Sequence, residues 1–162
     1  MEAEVSAVAD QAEVGNIAVR TKEFLSKVDH DRIVQAIRKA ESRTSGQIRI
    51  YLQRGKLKGD PLLSAQKRFS QLGMHDTKDR NAVLIYVVPR AHKFAVIGDK
   101  AVHEKCGDTL WQSVASKMAD HFKAERFTDA IVDAIQDLGT VLSKHFPHAG
   151  GENELPDTII EG

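Results

Sequence analysis

The chain reads as alternating stretches of helical and strand periodicity. Val19, Phe24 and Leu25 share a helical face within 17–27. Ile33, Ala36, Ile37 and Ala40 then recur at helical spacing, with Asp29 placed as N-cap and Val28 before it as a hydrophobic staple onto Ile33. Gly46 is the expected stop of that helix. Directly afterwards Ile48, Ile50 and Leu52 alternate with Gln47, Arg49, Tyr51 and Gln53, the period of a strand with one face more buried than the other. A loop over Gly55–Asp60 leads to a second strong helix start, where Asp60 caps and Pro61 takes the first helical position. Leu62, Ala65, Phe69 and Leu72 form its stripe, and Gly73 ends it.

The run Ala82-Val83-Leu84-Ile85-Tyr86-Val87-Val88 has no polar interruption, which predicts a central strand covered on both faces. Pro89-Arg90-Ala91-His92 turns the chain into a return strand at Phe94–Ile97. Two helices follow. One aligns Trp111, Ala115, Met118 and Phe122; the other, capped in this reading by Thr128, aligns Ile131, Ile135, Leu138 and Leu142. A helical crossover between the first two strands predicts a parallel pair, and the short turn after it an antiparallel hairpin. Helices before, between and after the strands cover both faces of a small mixed β-sheet, so the fold class expected is α/β, a three-layer α/β/α sandwich.

Length and charge refine this picture. The 162 residues suit one domain, over 17–146, between a flexible acidic lead or frayed helix at 1–16 and an acidic tail at 147–162. Glu2, Glu4, Asp10 and Glu13 meet no Lys or Arg in the lead, and Glu152, Glu154, Asp157 and Glu161 meet none in the tail. All 23 basic residues therefore fall in the middle segment, densest between Arg49 and Lys93. Such a surplus attracts anions or acidic partners, or is a solvated face balanced by the tails. No apolar stretch is long enough to span a bilayer and the start of the chain has no secretory signal, so the expectation is a soluble, cytoplasmic protein. Cys106 is the single cysteine, which excludes an internal disulfide and multi-cysteine metal sites.

Familiar catalytic signatures are missing. There is no phosphate-binding glycine loop, no H-E-x-x-H around His103-Glu104 and no G-x-S-x-G. Cys106 reads as a buried small hydrophobe, and His145 as a favourable charge at a helix C-terminus. The loops flanking the hairpin hold the remaining candidate chemistry. In an antiparallel pair the start of one strand lies beside the end of the other, so Asp79, Asn81 and Asp99 converge at one sheet edge. Their oxygens suit a hard cation such as Ca²⁺. The alternative is local: Asp79 and Asn81 serve a turn, and Asp99 caps the next helix.

Three stretches, Glu41–Ile48, Arg80–Ile85 and Phe94–Lys100, resemble the TPM-domain family, named for a thylakoid-lumen protein, a photosystem II repair protein and a nematode receptor modulator. The resemblance runs from Phe24 to Phe146 and is greatest to the compact bacterial branch, whose Asn-Glu-Leu-Pro-Asp tail is Asn153–Asp157 here. It implies an α/β/α sandwich, divalent cations on acidic loops at the sheet edge in some members, an acid phosphatase activity in a plant member, and accessory roles at membrane complexes in others. The family's usual Asp-Asn-Gly before the central strand is Arg80-Asn81-Ala82 here, with Asp79 displaced by one position. Its Gly-Tyr-Gly after the return strand is Ile97-Gly98-Asp99. Asn81 and Gly98 match directly.

Two functions follow as expectations. The first is a non-enzymatic accessory or protein-interaction module with a weak Ca²⁺ site on Asp79, Asn81 and Asp99, which the missing nucleophile signatures favour. The alternative is a metal-dependent acid phosphatase, in which Arg80, Lys100 or His103 would neutralise phosphoryl charge. The expected partner is a protein; nucleic-acid binding lacks both a motif and clustered exposed aromatics.

Overall fold

Ala82–Val88 is the middle strand of a five-stranded mixed sheet in a computed structural model that describes residues 4–10, 28–53, 59–89, 93–147 and 159–161. In chain order the elements are β1 (Glu4–Asp10), α1 (His30–Glu41), β2 (Gln47–Leu52), α2 (Pro61–Gln71), a 3₁₀ turn at Met74–Asp76, β3 (Ala82–Val88), β4 (Lys93–Gly98), α3 (Lys100–Lys123), α4 (Phe127–His145) and β5 (Ile159–Glu161). The strand order is β1-β4-β3-β2-β5. β3 runs parallel to β2 and antiparallel to β4, as the spacing of apolar runs predicts.

Alternation sorts the sheet residues into two cores. Ile48, Ile50, Leu52, Val83, Ile85, Val87, Phe94 and Val96 pack with residues of α1, α3 and α4. Tyr51, Ala82, Leu84, Tyr86, Val88, Ala95 and Ile97 pack with Ala65 and Phe69 of α2 and with Met74. This is the three-layer sandwich, with α2 on one face and the other helices opposite. All seven residues of β3 are buried, which is why its sequence carries no polar position. Each fully buried Leu or Ile there contributes roughly 1.5–3 kcal/mol relative to exposure.

The caps explain where the helices begin. Asp29 accepts from the Arg32 N–H at 3.1 Å and Asp60 from the Leu62 N–H at 2.9 Å, with Pro61 at the first helical position. Each such cap stabilises by about 1 kcal/mol. Gly73 follows α2 with φ +69, the left-handed residue that ends it.

Several expectations change. α1 stops at Glu41, well before Gly46, because the Ser42 hydroxyl donates to the Lys39 carbonyl and Thr44 bonds to the backbone of the following loop. Thr128 does not cap α4. That helix starts at Phe127 after Arg126, and the Thr128 hydroxyl accepts from the Asp29 N–H at 3.0 Å, joining the start of α1 to the start of α4. Glu4–Asp10, expected as a flexible lead or frayed helix, is strand β1, antiparallel to β4. The tail likewise adds β5, parallel to β2. The helix expected over 17–27, most of the loop at Gly55–Asp60 and the turn at 90–92 lie outside the described residues. α3 is interrupted at Gly107, whose φ of +69 and ψ of −175 are not helical. No helix among the described residues is long and apolar enough to cross a membrane.

Candidate functional site

Antiparallel pairing of Val83 with Gly98 brings the residues before β3 beside those after β4. Two backbone bonds fix that junction: the Asp99 N–H donates to the Ala82 carbonyl at 2.9 Å, and the Ala101 N–H to the Arg80 carbonyl at 3.1 Å. Gly98 is needed here, since a Cβ on it would lie 2.6 Å from the Trp111 ring and 3.1 Å from Val102.

Asp99 is fully buried, and its carboxylate is engaged from three sides. Oδ1 accepts from the Lys100 N–H at 2.7 Å, so Asp99 is the N-cap of α3. Arg80 binds it in fork geometry, Nε to Oδ2 at 2.8 Å and Nη2 to Oδ1 at 2.9 Å. Arg80 has φ +52, an uncommon conformation for a side-chain-bearing residue, and the turn it makes sends the guanidinium back against the carboxylate. A fork pair is stronger and more directional than a single contact, and it offsets the cost of burying the carboxylate.

His75, from the 3₁₀ turn, completes the cluster. Its Nδ1 lies 3.3 Å from Asp99 Oδ1 and 3.1 Å from Arg80 Nη2, and its Nε2 lies 3.3 Å from the Ser70 hydroxyl of α2. The ring packs edge-on against Phe69, with centroids 4.8 Å apart. Connected as Ser70–His75–Asp99, these groups have the order of a nucleophile, a base and an orienting carboxylate. Arg80 alters their chemistry. His75 Nδ1 faces both a carboxylate oxygen, which takes a proton from it, and a guanidinium, which needs its lone pair, so the two contacts place opposite demands on that nitrogen.

The other two nominated ligands go elsewhere. Asn81 is buried, and its Nδ2 donates to the Ser45 hydroxyl at 3.0 Å. Ser45 in turn donates its N–H to the Phe146 carbonyl, while the Thr44 hydroxyl meets the Leu142 and Phe146 carbonyls. Asn81 thus anchors the start of β3 to the end of α4. Asp79 is exposed on the turn. The three nominated ligands are thus placed differently: Asp99 is filled by Arg80, Asn81 gives its Nδ2 to Ser45 while its sealed Oδ1 has no hydrogen-bond partner, and Asp79 lies at the surface. Among the described residues, no group of three or more His, Cys, Asp or Glu side chains is placed to hold a metal ion.

Of the remaining nominated groups, Lys100 is exposed and His103 half-buried, with its Nδ1 sealed and without a hydrogen-bond partner. Burial pushes the Cys106 thiol above its ordinary value, which leaves little thiolate at neutral pH. Sequence reasoning missed His75 and Ser70 and gave Arg80 only a supporting role. A single His after a helix-ending Gly carries no signal of its own.

Comparison with known proteins agrees with this architecture. A family model described as the TPM domain matches residues 19–141. The NMR structure of the BA42 protein from the psychrophilic bacterium Bizionia argentinensis is similar with a TM-score of 0.76 at 35% identity, covering 83% of this chain and 95% of that one. Comparison with curated proteins gives no match.

Proposed function

The chain belongs to the TPM-domain family, and from that premise we propose that it is a non-enzymatic accessory module, a protein-interaction domain whose sheet-edge site carries its own cation in Arg80. The observation that carries this reading is the fork pair between Arg80 and the fully buried Asp99. A divalent ion at Asp99 has to displace that guanidinium and the Lys100 N–H, and then recruit ligands from side chains that point elsewhere. Further support comes from Cys106, whose thiol burial pushes above its ordinary value.

The competing reading is a metal-dependent acid phosphatase on Asp79, Asn81 and Asp99. The assay that separates the two is hydrolysis of p-nitrophenyl phosphate by the full chain, with Ca²⁺, Mg²⁺ or Mn²⁺ against EDTA, across acidic to neutral pH. The accessory reading expects no turnover that depends on a metal or changes in Ser70→Ala and Asp79→Ala. Metal-dependent turnover that is lost in Asp79→Ala, with the fold retained, would replace this reading with the phosphatase.

A further inference from the structure

Arg49 sits on β2 with its side chain on the α2-facing surface of the sheet, a place that sequence periodicity alone treats as half-exposed. It is only 7% exposed. Its Nε is sealed from solvent and has no hydrogen-bond partner, and no carboxylate among the described residues pairs with the guanidinium. Its described neighbours offer none. Register places Leu84 opposite it on β3, and alternation places Gln47 and Tyr51 beside it on β2. The described side chains of β3 and β4 on this face are Ala82, Leu84, Tyr86, Val88, Lys93, Ala95 and Ile97, none of them acidic. Tyr51 is itself covered by a second cation, with Arg68 4.5 Å above its ring.

A guanidinium does not escape burial by losing its proton at physiological pH, and a desolvated cation without a counter-charge is strongly unfavourable. Burial pulls the Arg49 value below that of a free arginine. We propose that Arg49 anchors a binding site for a small oxyanion from outside the chain, a phosphate or carboxylate group seated on the guanidinium. The fork of N–H donors matches either group. This site lies apart from the Arg80–Asp99 pair and does not rest on the accessory reading.

The test is a titration of the ¹⁵N-labelled full chain with inorganic phosphate and, separately, acetate, against chloride at matched ionic strength. The readout is the Arg49 Nε–Hε resonance, identified by its loss in Arg49→Lys. One of the two anions is expected to move that resonance saturably and to raise the melting temperature by several degrees. Phosphate as the active arm assigns a phosphoryl ligand, and acetate a carboxylate. The rise is expected to vanish in Arg49→Met, which melts no lower than the parent in chloride because it removes the desolvated charge. An unmoved resonance with both anions would overturn the proposal, as would a melting rise that persists in Arg49→Met. So would a resonance that moves, with no anion added, in a Glu152→Gln, Glu154→Gln, Asp157→Asn variant, since the chain would then supply its own carboxylate. The resonance is read on the parent, so the result stands even where Arg49→Met does not fold.

Discussion

Arg80 and Asp99 are 19 positions apart in sequence, yet the guanidinium meets the buried carboxylate through two bonds of 2.8 and 2.9 Å. The pair closes the end of the sheet where β3 starts and β4 stops. It also ties the turn before β3 to the first turn of α3, because Asp99 caps that helix while Arg80 accepts from Ala101. Arg80→Met leaves the carboxylate buried with only His75 and the Lys100 N–H. The expected loss is about 3 kcal/mol, the low end for breaking a buried pair because Arg80 itself is partly exposed. Urea unfolding of Arg80→Met, Asp99→Asn and the double variant checks this. The double variant is expected to lose less than the sum of the singles, as coupled partners do.

Gly98 sets how closely α3 approaches β4. Gly98→Ala puts a methyl group into the Trp111 ring and is expected to cost about 1–3 kcal/mol through overpacking. Gly139→Ala is expected to act similarly against Ala40, where a Cβ would lie 2.7 Å from the Ala40 methyl. Thermal or urea unfolding of each variant reads the effect, and a smaller loss for Gly98→Ala in a Trp111→Phe background identifies the ring as the obstacle.

Thr44 holds the lead-in to β2 against the end of α4. Its buried hydroxyl accepts from the Gly46 N–H at 3.0 Å and meets the Leu142 carbonyl at 3.1 Å. Thr44→Val keeps the shape and removes the hydroxyl, stranding buried backbone groups at an expected cost of about 1–3 kcal/mol. Thr44→Ser is expected to recover most of the loss, which unfolding curves of the two variants compare directly.

Burial pushes the Tyr86 hydroxyl above its ordinary value of 10.0. The folded chain then holds this proton more tightly than the unfolded chain does. The associated stability is complete below about pH 10 and is lost as the pH rises through the folded value. Stability is expected to fall across that alkaline window, less so in Tyr86→Phe. Tyrosinate absorbance of the parent, which has two tyrosines, is expected to show one of them ionising late.

Much of this molecule was legible from residue pattern. The unbroken run of β3, the Asp60-Pro61 start and the stripe of Trp111, Ala115, Met118 and Phe122 all report local burial, and all three features are in place. β1 and β5 were not legible, for a shared reason. Glu4–Asp10 is acidic and rich in small residues, and Ile159–Glu161 is three residues long; each is a strand only by pairing with a distant neighbour, β4 and β2 respectively. At the site, the nearness of Asp99 to the start of β3 followed from hairpin topology. What occupies Asp99 did not follow, because Arg80 reaches it through a left-handed turn, and His75 arrives from a separate turn that packs on α2. Residue types at the junction are compatible with a cation site; the backbone path is what brings the Arg80 guanidinium to Asp99.

The central claim is that Arg80 fills the place at Asp99 that a divalent ion would take, and thermal melting of the full chain in millimolar CaCl₂ against EDTA tests it most directly. A ligand at 100 times its dissociation constant adds about 2.7 kcal/mol, which for a domain of this size moves the midpoint by several degrees. The parent is expected to melt at the same temperature in both buffers. A Ca²⁺-dependent rise of several degrees in the parent, lost in Asp79→Ala and in Asp99→Asn, would contradict the claim and place the ion where Arg80 now stands.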